Sequence, residues 1–454
     1  MPVFSRQPEV PGSRYHQSRP VASNLSVDWL TNESSLGSNS HELLWRAQPE
    51  APLTSLRMLT TSAKSTAEPK AKLPVRRTVS TPYFDSLERK ITGLGGFVNA
   101  HLHLDRAGTY DDTVSLLRST DIRDGTALSL AEKHSLIPMV HASPLYEPST
   151  LESRVSYYLD RMVAVGTRRA ETVVDVTSDR VGQSALERML ILKDRYSDRI
   201  DLRVGAYSPL GFRDDDPARW ELIEAAAERA DLIGLLPERD DRTNYPNHIG
   251  FEESCRRGIS LAFRLNKAIQ IHVDQANHCH ESGGETVLDL VRRLEAGGAP
   301  NTEPLVWLIH LISPSTYDEA RFERLAQGLS EQRIGVICCP SAAISMRQYR
   351  PFLSPTHNCI ARVLDLLAAG VQVRIASDNI CDITSPMGTA DLMDEIFVLA
   401  NALRFYDQDI LAKVAAAHPL STADFARLRA HLDEDRSALA AAMDRHSTAT
   451  VRPG

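Results

Sequence analysis

From about residue 95 the chain settles into a regular alternation. Short runs rich in Val, Ile and Leu occur at FVNAHLH (97–103), TVVDVTS (172–178), DLRVGAY (201–207), DLIGLLP (231–237), AIQIHVD (268–274), LVWLIHL (305–311), IGVICCP (334–340) and QVRIASD (372–378). Between them lie stretches such as SALERMLILKDRY, ARWELIEAAAERA and GETVLDLVRRLEAG, whose apolar residues return with the period of a helix. The strand runs are apolar at nearly every position rather than at every second one. That predicts burial on both faces, and hence parallel strands covered by helices. Eight such units in succession predict an α/β fold, a (β/α)8 TIM-like barrel. An open doubly wound sheet is the competing architecture. It is disfavoured because the glycine pair here, Gly95-Gly96, precedes the first strand instead of forming a phosphate loop after it.

The rest of the chain has a different texture. Residues 1–75 are rich in Ser, Pro, Asn and Arg with little periodicity, which predicts a poorly ordered or loosely docked N-terminal extension. The barrel is expected over 76–420. The interval 104–170 is long for one connection and predicts two helices with LIPMVHASPLYEP between them, part of a lid over the first strand's end. Residues 421–454 predict C-terminal helices and a tail.

Composition narrows the partners. Net charge is −8 and is spread along the chain, which argues against a nucleic-acid binder and against an anionic membrane surface. No apolar run reaches the roughly 18 residues of a membrane span. The six cysteines form no CxxC pair, and no signal-peptide pattern opens the chain; a cytoplasmic protein with free thiols is the expectation. The partner is then a small-molecule substrate.

Candidate chemistry sits at the carboxyl ends of the strands, where barrel enzymes keep their reactive groups. The first strand ends His101-Leu-His103, the fifth His272-Val-Asp274-Gln275, the sixth carries His310, and the eighth ends Ser377-Asp378-Asn379. Period-two geometry sends His101 and His103 to the same side of their strand. A third imidazole and a carboxylate beside them make a nitrogen-and-oxygen site for a divalent cation. A single buried histidine is more often a hydrogen-bonded core residue. It is the ordered set across four strands that points to a metal.

These segments resemble the amidohydrolase superfamily, and within it the cytosine deaminase-like branch. HLHLDRAGTY is similar to that branch's first-strand motif, HVDQANHCHESGGETV to its fifth, and IASDNICDITSPMGTADLM to its eighth. The resemblance covers roughly residues 95–410. It implies that His101, His103, His272 and Asp378 bind one divalent ion, Zn2+ or Fe2+. It places His310 just outside that shell and gives Asp378 the proton of the attacking water. The fourth strand, DLIGLLP, holds no lysine, cysteine or glutamate to bridge two metals; Glu238, just beyond it, reads as a loop residue. Superfamily barrels commonly self-associate, so the resemblance leaves room for a homo-oligomer.

Three departures qualify the likeness. Gln275 stands where the branch has its catalytic glutamate, and a carboxamide cannot titrate. Pro209 replaces the third-strand glutamine that reads cytosine, so cytosine itself is not the expected substrate. The flanking β-sandwich of the family is expected to be reduced or missing. Gln275, Asn277, Asn379, Arg347 and Tyr207 are the candidate substrate contacts, with Gln275 also grouped with Asp378 and His310 as catalytic. Asp105 and Asp274 are expected to orient ligands from behind. The implied function is a mononuclear metal-dependent hydrolase of a non-peptide C–N bond: an amide, cyclic amide or amidine. The competing readings are a cyclisation or condensation enzyme of a biosynthetic pathway on the same barrel, and a catalytically silent binding protein.

Overall fold

A computed structural model describes residues 80–117, 125, 128–294, 303–346 and 360–449. The N-terminal extension, Arg347 and Arg350 lie outside the described residues.

Eight parallel strands follow one another in sequence order: β1 (Phe97–Leu102), β2 (Thr167–Asp175), β3 (Asp201–Tyr207), β4 (Leu232–Leu235), β5 (Ala268–Val273), β6 (Val306–His310), β7 (Gly335–Cys338) and β8 (Val373–Ile375). A parallel bridge between Leu102 and Asp378 joins the last strand's exit to the first, which closes the cylinder. Helices separate the strands, so the architecture is the (β/α)8 barrel read from the pattern. Among the described residues it is the one sheet, with no flanking β-sandwich beside it.

Near-continuous burial explains the strand composition. Every residue of β1, β4, β6, β7 and β8 is buried, because helices cover the outside while side chains fill the inside. Strand β2 starts five residues before its apolar run. Its early part carries Arg169 and Glu171, which hide the pattern but pair inside the amino-terminal half of the barrel: Arg374 Nη1 lies 3.3 Å from Glu171 Oε1. Those opposite charges are what let a polar stretch join the sheet.

The excursion between β1 and β2 is helical, at Tyr110–Leu117, Leu130–Ser135, Ile137–Ala142 and Pro148–Ala164. The segment around LIPMVHA is expected from its sequence to link two helices. It forms a short helix instead, with Pro138 in its first turn where the missing N–H costs nothing. Ahead of β1, the helix Pro82–Gly93 buries Leu87 and Ile91 and reaches the chain after β8 through Lys90 to Asp409 at 2.5 Å and the Tyr83 hydroxyl to the Tyr406 carbonyl at 2.8 Å. Thr422–Ala449 forms one long helix. Among the described residues no helix is long and apolar enough to cross a membrane.

Candidate metal centre

The carboxyl ends of β1, β5 and β8 bring His101, His103, His272 and Asp378 together, all four buried. His101 Nε2 is 3.1 Å from His272 Nε2 and 3.3 Å from His103 Nε2. Asp378 Oδ1 is 3.4 Å from His103 Nε2 and 3.7 Å from His101 Nε2. It is shielded and has no hydrogen-bond partner. Such a knot of ring nitrogens and one orphaned carboxylate oxygen cannot satisfy itself. One cation among them would satisfy all four, and the donor set fits a borderline divalent ion.

The backs of two rings set their tautomers. His101 Nδ1 is 2.7 Å from Gln270 Oε1, and Gln270 spends its own amide hydrogens on the Ala100 carbonyl and on Glu171 Oε2. The oxygen must therefore accept from Nδ1–H, which frees Nε2 as a lone-pair donor. His272 Nδ1 lies 3.0 Å from the Leu235 carbonyl with the same result. His103 differs: Arg106 Nη2 approaches its Nδ1 at 2.5 Å. A divalent ion on the opposite nitrogen would repel that guanidinium and favour the tautomer with Nδ1 protonated, so ion binding and the placement of Arg106 are coupled.

Burial keeps all three rings neutral. It holds His101 down at about 4 and His103 and His272 well below the usual imidazole range, with Arg106 adding to the effect on the first two. Asp378 is pushed up to about 8, by burial and then by the charge of Asp382. Neutral imidazoles beside a carboxylate that resists charging are what a site looks like when its counter-charge is a bound cation.

Local backbone geometry is unusual here. His310 and Asp378 are non-glycine residues in the left-handed region, at φ 73° and 59°. His310 Nε2 is 3.9 Å from Asp378 Oδ2, and its Nδ1 is buried without a partner. Burial takes this imidazole down to about 3, so it too is neutral. Cys339 comes within 4.8 Å of His310 and Asp378, but burial raises its thiol far from ionisation. Tyr207, at the end of β3, packs its ring 5.3 Å from His103 and 5.5 Å from His272 and walls the site.

Other predicted residues have different duties. Asp105 does not reach a ligand imidazole; its Oδ2 accepts from the Tyr146 hydroxyl and the Asp175 main chain, both at 3.0 Å. Asp274 likewise holds no ligand: its two oxygens accept from Gly283 and Gly284 at 2.7 and 2.8 Å, capping the helix Gly283–Leu294. Asn379 donates to Asp382 at 2.5 Å, and Asn277 is buried with its Oδ1 3.4 Å from Ser315 Oγ. Glu238, read as a loop residue, sits in a helical turn (Pro237–Asp240) and accepts from Gln275 Nε2 at 2.8 Å. His278, Cys279 and His280 also cluster, but they are half-buried to exposed and His278 Nδ1 already accepts from the His280 main chain.

Sequence reasoning missed Gln270 and Arg106. Gln270 left a signal: a polar side chain inside AIQIHVD, two residues before His272 and so on the same side of the strand.

Fold and site together define a (β/α)8 barrel with a candidate one-metal centre at its carboxyl rim. No protein-family model matches the chain. In sequence it is 25% identical over 270 residues to an uncharacterized protein of Haemophilus influenzae, across 59% of this chain and 88% of that one. It is 24% identical over 314 residues to N-isopropylammelide isopropyl amidohydrolase of Pseudomonas sp. (66% of each), and 22% identical over 278 residues to pterin deaminase of Rhizobium rhizogenes (61% of this chain, 58% of that one). Its fold is similar to that of 5-methylcytosine deaminase from Klebsiella pneumoniae, with a TM-score of 0.59 and 23% identity over 74% of each chain. N-isopropylammelide isopropylaminohydrolase from Burkholderia multivorans gives a TM-score of 0.52 and 20% identity, also over 74% of each. The chain thus shares the barrel fold of these two enzymes.

Proposed function

We propose that the protein is a mononuclear metal-dependent hydrolase of a non-peptide C–N bond in a small polar molecule. The bond is an amide, cyclic amide or amidine, and cytosine itself is not the substrate. The observation that carries this reading is the convergence of His101, His103 and His272 Nε2 with the orphaned Asp378 Oδ1 at the carboxyl rim. Relatives named for N-isopropylammelide, pterin and 5-methylcytosine support a C–N bond as the target.

Zinc or ferrous iron held there would supply Lewis acidity, polarising the carbon under attack and lowering the pKa of water. The side chains do the remainder. Asp378 turns one oxygen to the imidazoles and the other toward His310, so Oδ2 is placed to take the proton of attacking water. His310, neutral and with an unused Nδ1, can hydrogen-bond the oxygen on which charge develops. Tyr207 shuts bulk water away from one side of the imidazoles. Asn277, Asn379 and Gln275 line the strand ends as substrate contacts.

The test is metal content together with turnover. The purified chain should hold about one equivalent of zinc or iron, and His103→Ala or Asp378→Ala should lose both the ion and amine release from N-isopropylammelide or pterin. A variant keeping full metal and full turnover overturns the reading.

A further inference from the structure

Hydrolysis of a C–N bond needs an acid for the departing nitrogen. Gln275 cannot serve, since a carboxamide carries no titratable proton. Its side chain instead points to a carboxyl. Gln275 Nε2 donates to Glu238 Oε2 at 2.8 Å, and the Gln275 main chain adds a second hydrogen bond to the same carboxyl. Glu238 Oε1 is shielded from solvent and has no partner. One oxygen is therefore held by donors, while the other has no hydrogen-bond partner and is left as the natural seat of a proton.

The position is built rather than accidental. Glu238 follows β4 by three residues in the turn Pro237–Asp240, and the carbonyl of Leu235, the last residue of β4, holds His272. Glu238 and Gln275 thus hang from neighbouring strand ends, one of which carries a candidate metal ligand. Burial, then the charges of Glu281 and Asp274, keep the Glu238 carboxyl protonated well above the ordinary carboxylate range. The titratable groups facing it are these two and the buried thiol of Cys255, on the helix Phe251–Leu265.

We propose that Glu238 is the general acid of this site, positioned by Gln275. This rests on the hydrolase reading above. The water oxygen bonds to the substrate carbon, and the C–N bond breaks with its electron pair going to nitrogen. Glu238 Oε1 gives that nitrogen its proton and is reprotonated by the proton that water released.

Two measurements decide it. Infrared spectra at neutral pH should show a carboxylic-acid carbonyl band in the wild type that Glu238→Gln removes, with metal content unchanged. Absence of such a band overturns the proposal whether or not a substrate is in hand. With N-isopropylammelide, pterin and 5-methylcytosine as probes, Glu238→Gln should lower kcat roughly 10²–10⁴-fold. KM should stay within about threefold, and the alkaline limb of the kcat profile should disappear. The swap Glu238→Gln with Gln275→Glu should recover at least about tenfold of the loss. An unchanged kcat in Glu238→Gln refutes the assignment while leaving the hydrolase standing. Loss of metal binding in the wild type would refute the hydrolase while leaving the acid band intact.

Discussion

Asp378 is tied through its main chain to His101: its N–H donates to the His101 carbonyl at 3.1 Å. The N–H of His103 returns to the Asp378 carbonyl at 3.2 Å. The seam that closes the barrel is thus made by the residues that would hold the ion. Closure and ligand placement are one event, and the left-handed backbone of Asp378 is held by that seam rather than by its own preference.

Removing charge from Asp378 without removing the seam should separate metal binding from folding. Asp378→Asn leaves the backbone bonds in place and relieves a buried, half-unpartnered carboxyl. Without metal, its unfolding free energy should equal or exceed that of the wild type. With zinc added, the wild type should gain about 3 kcal/mol or more at a few hundredfold excess over Kd, and the variant far less. Chemical denaturation with and without zinc checks both halves.

Gln270 is the sharper test of the tautomer argument. Gln270→Leu keeps the volume and removes the acceptor that fixes His101 Nδ1–H. Metal affinity should fall roughly 10–100-fold. Competition against a chelator reads this directly, and an unchanged Kd would mean that the hydrogen bond does not orient the ring.

The buried ion pair of His141, on the helix Ile137–Ala142, should give a pH signature. Burial lowers His141, but hydrogen bonds to Asp175 and Asp179, at 3.0 and 2.6 Å, outweigh it and hold the ring at about 9. A folded-state pKa raised from 6.5 means stabilisation that is complete below about 6.5 and is lost as pH rises through about 9. Asp179, depressed to about 2 from 3.8, contributes above about 4 and loses its share as pH falls through 2. The wild type should exceed His141→Gln by roughly 2–3 kcal/mol near pH 6, and the two should converge near pH 10. A difference that grows with pH would contradict the assignment.

Gly388 explains part of the SPMGTA segment. A Cβ there would lie 2.1 Å from the Asn379 carbonyl oxygen, which is backbone and cannot step aside. Gly388→Ala should cost roughly 1–3 kcal/mol in thermal unfolding and displace the loop after β8 that carries Asn379 and Asp382.

The sequence alone was enough for the barrel, because parallel strands buried on both faces leave continuous apolar runs separated by helical periods. It was enough too for the candidate ligands, since His101, His103, His272 and Asp378 each interrupt such a run at its carboxyl end. Strand β2 was only half legible: Arg169 and Glu171 precede its apolar run and, besides each other, find partners on distant segments in Glu303 and Arg374. The duties of Asp105, Asp274 and Glu238 were not legible either. Each is a carboxylate near a strand end, and nothing in local spacing says whether it will face an imidazole, a helix terminus or a carboxamide. Tertiary structure decided those, and it also decided the tautomers of His101 and His272, because the Gln270 and Leu235 oxygens behind them come from neighbouring positions in space. Periodicity is a property of one segment and survives in its sequence, whereas a hydrogen bond belongs to two segments and exists only once the chain has brought them together.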